Sequence, residues 1–321
     1  MPSRQVLRIA ARLAAGLGAI LVVSALIFLA TQALPGDIAR IVLGRDATSD
    51  QVAALRETLG LDRPLVAQFA SWLTGILHGD AGTSLLAHVP VTKLVWPRIV
   101  ASFTLVLISM AITIPLAIAL GVLAAAQRDG RLDRFLLALS NAINSMPAFV
   151  VGMLLVILFS TNVLHVLPSV SMLTPGISPF EQIEMLVLPV ATLVLLNVSY
   201  LYRLLRASVL DVLDREYIQL ARLKGLHESR VLFRHALPNA VIPAVHATAN
   251  IFAFSVGSIV VIEYLFAFPG IGTGLTDAVA NRDIPVVQFI VLLVSATFVV
   301  LNLVADLATA LLAPPTMKAE A

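Results

Sequence analysis

Residues 214–243 read DREYIQLARLKGLHESRVLFRHALPNAVIP. This is the longest polar, basic interruption between hydrophobic segments in the second half of an otherwise oily chain. Tyr217, Leu220, Ala221 and Lys224 fall at i, i+3, i+4 and i+7, one face of a helix. Asp211 and Asp214 lie near its start, Arg222 and Lys224 near its finish, and Gly225 follows as the stop. That order suits both the helix macrodipole and a glycine cap. His227-Glu228-Ser229 opens a second short helix through Arg234, and Pro238 and Pro243 mark the turn back into hydrophobic sequence. Two readings fit these residues. One is an amphipathic loop on lipid headgroups, with Tyr217 and Leu220 dipping in; the other is an ordered element that docks a partner.

The surrounding sequence decides what kind of molecule carries this segment. Of 321 residues, 59% are hydrophobic and 12% charged, against about 25% charged in soluble domains. A spanning helix needs about 20 mostly apolar residues, and six segments supply them: Leu13–Leu34, Ser102–Ala126, Phe135–Thr161, Met185–Tyr202, Ile242–Phe266 and Val286–Leu312. The expected fold is therefore all-α, a polytopic membrane protein with six transmembrane helices. Arg4, Arg8 and Arg12 precede the first segment as in a signal peptide, but its apolar run exceeds the usual signal core of about 7–15 residues. It reads as a retained helix.

Cations orient the spans. Arg4, Arg8 and Arg12, then Arg128, Arg131 and Arg134, then Arg203, Arg206, Arg215, Arg222, Lys224, Arg230 and Arg234, and finally Lys318 fall on one side. The short opposite loops carry only Arg282. Arg40, Arg45, Arg56, Arg63, Lys93 and Arg98 sit in a long first loop, which translocates largely regardless of charge. Both termini are thus expected in the cytoplasm, with residues 35–101 outside. Ser49 to Leu59 reads as a helix with Ser49 or Asp50 as N-cap and Gly60 as terminator. A second helix follows Asp62-Arg63-Pro64, with Leu65, Phe69, Trp72, Leu73 and Ile76 on one face.

Several function classes drop out. The chain has no cysteine, which removes disulfides, thiolate metal sites and cysteine nucleophiles. Six scattered histidines with no His-x-x-x-His pair argue against a metal centre. The net charge of +2 resides in loops between spans, so no nucleic acid partner is expected. Only His246, Glu263 and Asp306 are ionisable within spans, two of them close to interfaces, which counts against the different-class alternative of an ion-coupled carrier or channel built around midplane charges. None of Lys93, Lys224 and Lys318 completes a P-loop, so any ATP-driven step needs a partner. Gly270-Ile-Gly272-Thr-Gly274 reads as a loop or re-entrant turn. No local catalytic pair suggests a membrane enzyme.

At residues 216–238 the segment resembles the EAA loop of ABC importer permeases. Ala221, Gly225, Leu237 and Pro238 stand at the positions of that pattern, whereas Gln219, Leu220 and His235 depart from its general form. The departures are similar to the peptide/nickel subfamily, through Tyr217-Ile218, Ala221-Arg222, Lys224-Gly225 and Arg234-His235-Ala236-Leu237. Further similar stretches are Leu34–Asp37, Leu59–Leu65, Gly79–Ser84, Pro90-Val91, Phe268–Gly272 and Asn281–Gln288. The long external segment resembles that of the first of the subfamily's two permease subunits. The end departs, with Ala313-Pro314-Pro315 where an Asp-Pro-Arg-like sequence is common.

The resemblance implies a type I ABC importer permease of the dipeptide/oligopeptide class in the bacterial inner membrane. Residues 1–101 would hold the N-terminal tail, first span and external segment. Residues 102–312 would form a five-helix core with a cytoplasmic coupling loop at 211–243, and 313–321 a cytoplasmic tail. The coupling residues would be Glu216, Tyr217, Gln219, Ala221, Arg222, Lys224, Gly225, Leu237 and Pro238, seated in a groove of a cytoplasmic ATPase. Implied partners are a second homologous permease, two ATPase subunits carrying ATP and Mg, an extracytoplasmic substrate-binding protein and membrane lipid, with no cofactor and no catalysis on this chain. Nickel-chelate, glutathione and other small-solute importers share the pattern. Glu263 stands out as a contact for a peptide amine or a partner subunit, or as a carboxylate satisfied within the fold.

Overall fold

The computed structural model describes residues 2–33, 38–43, 47–58, 60–161, 163–174 and 177–312. The Leu34–Asp37 stretch, Arg45, Leu59 and the tail 313–321, with Ala313-Pro314-Pro315 and Lys318, lie outside the described residues. So do the side chains of His246 and Asp306.

The chain is all-helical among the described residues apart from one antiparallel bridge, Thr83 with Pro90. The helices are α1 Pro2–Gln32, α2 Ile38–Leu43, α3 Ser49–Thr58, α4 Leu65–Leu77, α5 Val91–Ala126, α6 Arg131–Asn144 and α7 Ala148–Val156. There follow α8 Ile183–Leu213, α9 Glu216–Leu223, α10 Glu228–Arg230, α11 Leu237–Leu265, α12 Ile271–Ala280 and α13 Ile284–Leu312. Four helical stretches are long and apolar enough to cross a membrane: Ala10–Gln32, Val91–Ala126, Phe180–Leu213 and Ile284–Val304. α6 with the α7 stretch makes a fifth as a bent pair. The remaining expected span, Ile242–Phe266, falls on the 29-residue α11 and its C-cap Phe266.

Two spans depart from the sequence expectation. The segment Phe135–Thr161 is broken by 106° between Asn144 and Ala148. Pro147 is the cause: it lacks an N–H and drives the residue before it out of the helical region. The Asn141 carbonyl closes the helix before the break, accepting from the Ser145 N–H at 3.0 Å and from the Ser145 hydroxyl at 2.8 Å. Met185–Tyr202, expected as the shortest span, belongs instead to a 31-residue helix, about 47 Å long at 1.5 Å per residue. It continues past Tyr202 because Leu205, Val209 and Leu213 are buried and its arginines find partners on α6.

Contacts divide the chain into two compact units, Met1–Val100 with Gly270–Val299, and Ala101–Pro269 with Val300–Ala321. In the first, Val91, Val95, Ala278, Val286 and Ile290 form the core, with Ile27 packed against it. The α3 cap is Thr48, not Ser49 or Asp50. Gln51 N–H donates to Thr48 Oγ1 at 3.4 Å and Thr48 N–H to Gln51 Oε1 at 3.0 Å, the reciprocal arrangement of a capping box. Of the expected α4 face, Phe69 and Trp72 pack on α1, where they form an aromatic trio with Phe28 at centroids 5.5–6.1 Å apart, while Leu65 is exposed.

Two motif stretches far apart in sequence also meet in this unit. Asp283 accepts from the Ser84 hydroxyl and, at 3.0 Å, from Leu85 N–H. The Gly270–Gly274 stretch is helical from Ile271 onward and is not a re-entrant turn. Gly274 lies so near Arg98 that a Cβ would stand 2.8 Å from the Arg98 Cδ.

The second unit packs α5, α8 and α11 around Leu105, Met110, Leu193, Leu201, Leu205, Ile259, Ile262 and Phe266. At Gly121 on α5, a Cβ would come within 2.8 Å of Leu205 Cβ. The small residue lets the two helices approach closely, as membrane helices do where packing rather than hydrophobicity holds them together. On α6 the polar face turns inward while Leu132, Phe135 and Leu139 are exposed. Arg206 donates to both Asp133 oxygens at 2.5 and 2.6 Å. Ser140 Oγ donates to the Ser199 carbonyl at 2.7 Å, and Arg203 Nη1 to Asn141 Oδ1 at 2.7 Å.

Candidate functional site

The segment 211–243 is built on the end of α8. Asp214 caps that helix and pairs with Arg128 at 3.3 Å, so the short connection after α5 is tied to the same corner. Asp133 holds the connection from its other end, accepting Asp129 N–H at 3.0 Å besides Arg206. The chain then straightens at Arg215 and enters α9 with Glu216 in the first turn.

Within α9 the two sides differ sharply. Ile218 is fully buried and Ala221 nearly so; they pack with Val122, Ala125, Val209, Leu213, Val231, Leu232, Ala236 and Ala240. The opposite side carries Tyr217, Leu220 and Leu223, the last 84% exposed. Tyr217, Leu220 and Lys224 thus share an outward face as their spacing suggests, but Ala221 turns inward. Its contribution is the small volume that lets the helix lie flat on its support. Glu216, Gln219, Arg222 and Lys224 are all exposed.

Gly225 ends α9 with φ +78°. Its N–H reaches the Arg222 carbonyl at 2.9 Å and Leu226 N–H the Ala221 carbonyl at 3.3 Å. This pair is a Schellman motif, with Leu226 and Ala221 in the accompanying apolar contact. The glycine is needed for its backbone conformation alone, since a Cβ there would meet nothing within 4 Å. Arg222 then clasps Glu228 across the turn, at 2.8 and 3.2 Å.

Sequence patterning expects a turn at Pro238 and Pro243; the structure has none. α10 passes through a π-helical stretch, Val231–Ala236, straight into α11. A proline in a helix removes one N–H and crowds the carbonyl four residues earlier. A π turn just before Pro238 loosens that register and lets the helix continue. Leu237 is half-buried and Pro238 exposed. Asn239, which sequence reasoning passed over, donates to the His235 carbonyl at 3.0 Å and to Tyr217 Oη at 3.2 Å. Ile218, Asp133 and Arg206 were also missed as site residues. For Ile218 the signal was there: it stands three before Ala221 on the same stripe.

Glu263 is fully buried and accepts from Ser102 Oγ at 2.5 Å, so it does not stand in an open cavity. Among the described residues no cluster of His, Asp and Glu fit to hold a metal occurs.

Comparison with known proteins fits this arrangement. Residues 117–318 match the family described as binding-protein-dependent transport system inner membrane component, and residues 6–120 match the N-terminal region model of the same systems. A protein named as a peptide transport system permease of Brucella abortus is 38% identical over 296 residues, 92% of this chain and 94% of its own. A peptide ABC transporter permease of Sinorhizobium fredii is 34% identical over 94% of this chain and 96% of its own. The glutathione transport system permease GsiC of Pectobacterium atrosepticum is 40% identical over 92% and 94%. With both family models matched along nearly the whole length, the chain belongs to the inner membrane components of binding-protein-dependent transport systems.

Proposed function

We propose that this chain is one of two permease subunits of an ATP-driven importer that brings peptides across the bacterial inner membrane. Its cytoplasmic coupling element is α9. The observation that carries the reading is the two-sidedness of that helix: Ile218 and Ala221 are locked into the fold, while Tyr217, Leu220 and Leu223 stand bare. An apolar stripe on a charged segment is a surface made to be covered by a protein partner. In this reading the partner is a cytoplasmic ATPase subunit, one of two that bind ATP and Mg. Closure of the ATPases presses on α9, and the buried face passes the displacement to α8 and α11. A second permease completes the pathway, and an extracytoplasmic binding protein delivers the cargo. Both termini lie in the cytoplasm.

Peptide cargo is supported by the peptide permeases among the relatives. GsiC supports glutathione, itself a small peptide. The test is uptake of labelled dipeptides, oligopeptides and glutathione in a strain deleted for this chain, with nickel as a competing cargo. Loss of peptide uptake, restored by the gene, is expected. Loss of nickel uptake with peptide uptake unchanged overturns the peptide reading.

A further inference from the structure

α4 holds no charged residue over its 13 positions, and yet it buries none of its side chains fully. It touches α1 at two places one turn apart. Phe69 and Trp72 stack about Phe28, and Gln32 Nε2 donates to Gln68 Oε1 at 3.1 Å. Gln32 is the last residue of α1, where the apolar run Ala10–Gln32 stops. The contact therefore fixes α4 at the depth where a spanning helix leaves the hydrocarbon.

Two polar side chains of α4, Gln68 and Thr74, find partners within the protein, whereas the buried Trp72 Nε1 has none among the described residues. Gln68 donates to the carbonyls of Leu61 and Arg63 at 3.0 and 2.9 Å. The Thr74 hydroxyl donates back to Ala70 and Ser71 carbonyls at 2.8 and 2.9 Å. Outward stand Leu65, Val66 (80% exposed) and Leu77 (76% exposed), with Ala67 and Ala70 between and the small hydroxyl residues Ser71 and Thr74 beside them. On α1 the exposed side chains Leu21, Val22, Leu26 and Leu29 belong to the apolar span itself, so the bare face of α4 continues a surface already turned to lipid. Charged residues resume just beyond its ends, with Asp62 and Arg63 before and Asp80 after.

We infer that α4 is an interfacial helix lying in the headgroup–acyl boundary of one leaflet, with Val66 and Leu77 in contact with lipid. An uncharged helix of 13 residues is about 20 Å long at 1.5 Å per residue, too short to cross a hydrocarbon core of roughly 30 Å. The inference does not depend on the cargo or on the ATPase partner.

The chain has no cysteine, so with partner subunits made free of cysteine, single nitroxide labels at Val66→Cys and Leu77→Cys report each position alone. In proteoliposomes holding the complete transporter, power saturation should show both labels more accessible to dissolved oxygen than to a water-soluble nickel chelate. A label at Glu57→Cys, on α3, should show the reverse. Greater access to the nickel chelate at 66 and 77 overturns the inference, as does exclusion of both reagents, which would mean that another subunit covers this face.

Discussion

The Tyr217 hydroxyl on α9 accepts from the Asn239 amide at 3.2 Å, and that same amide donates to the His235 carbonyl at 3.0 Å. One side chain therefore joins the exposed helix to the first turn of α11. Tyr217→Phe keeps the ring and deletes the link. A single hydrogen bond contributes about 1 kcal/mol net, so peptide uptake should fall about fivefold at unchanged membrane levels, if that strut carries the coupling. Uptake in intact cells, normalised to membrane-inserted protein, is the measurement, and unchanged uptake would show that the ring alone matters.

Gly225 separates conformation from contact. With φ +78° and open space around a Cβ, substitutions should rank by their tolerance of the left-handed region. That region costs L-residues about 1–2 kcal/mol, less for Asn. Gly225→Asn should retain most uptake and Gly225→Val should lose it, both with normal insertion. Equal loss in the two would point to steric exclusion by a partner instead.

Ala221 faces inward against Val209, Val231 and Ala236. Ala221→Leu should overpack that cluster at a cost of about 1–3 kcal/mol and lift α9 off its support. The thermal midpoint of the purified chain should drop, and co-purification of the ATPase should weaken in parallel. An unchanged midpoint with lost co-purification would mean that residue 221 is itself a contact.

Asp133 and Arg206 form a bidentate pair in which the Asp133 side chain is 1% exposed and that of Arg206 16%. Removing one partner from a buried pair typically costs about 3–5 kcal/mol, whereas replacing both with apolar groups is often close to neutral. Arg206→Met should lower the thermal midpoint strongly. Adding Asp133→Leu should recover much of it. Additive losses in the double variant would exclude a true pair.

The outlines of the fold are readable in the sequence wherever apolar runs exceed a bilayer's width, as at Val91–Ala126 and Ile284–Val304. Hydropathy failed where a helix carries polar residues that are satisfied by tertiary partners. Arg203 and Arg206 look like a span's end, yet Asn141 accepts a hydrogen bond from the first, Asp133 pairs with the second, and α8 runs on. Phe135–Thr161 looks like one span because Pro147 is a single residue in an apolar background. The outward face of α9 was legible at Tyr217 and Leu220 from helical spacing. Ala221 was not, because a period of 3.6 cannot say which of two adjacent stripes is buried. Asn239 and the Asp133–Arg206 pair depend on approaches across 22 and 73 residues, which no local pattern records.

The uninterrupted helix from Glu228 through the π stretch to Leu265 has a mechanical meaning. No loop interrupts it, so apart from give at the π stretch and its prolines it is a lever about 57 Å long at 1.5 Å per residue. Turning such a rod about one end by about 5° sweeps the other through about 5 Å, by the same helical length. Glu263 sits near one tip, and the clasp of Arg222 on Glu228 grips the other. A nudge too small to disturb the local packing at the grip becomes, at the far tip, a displacement as wide as a side chain.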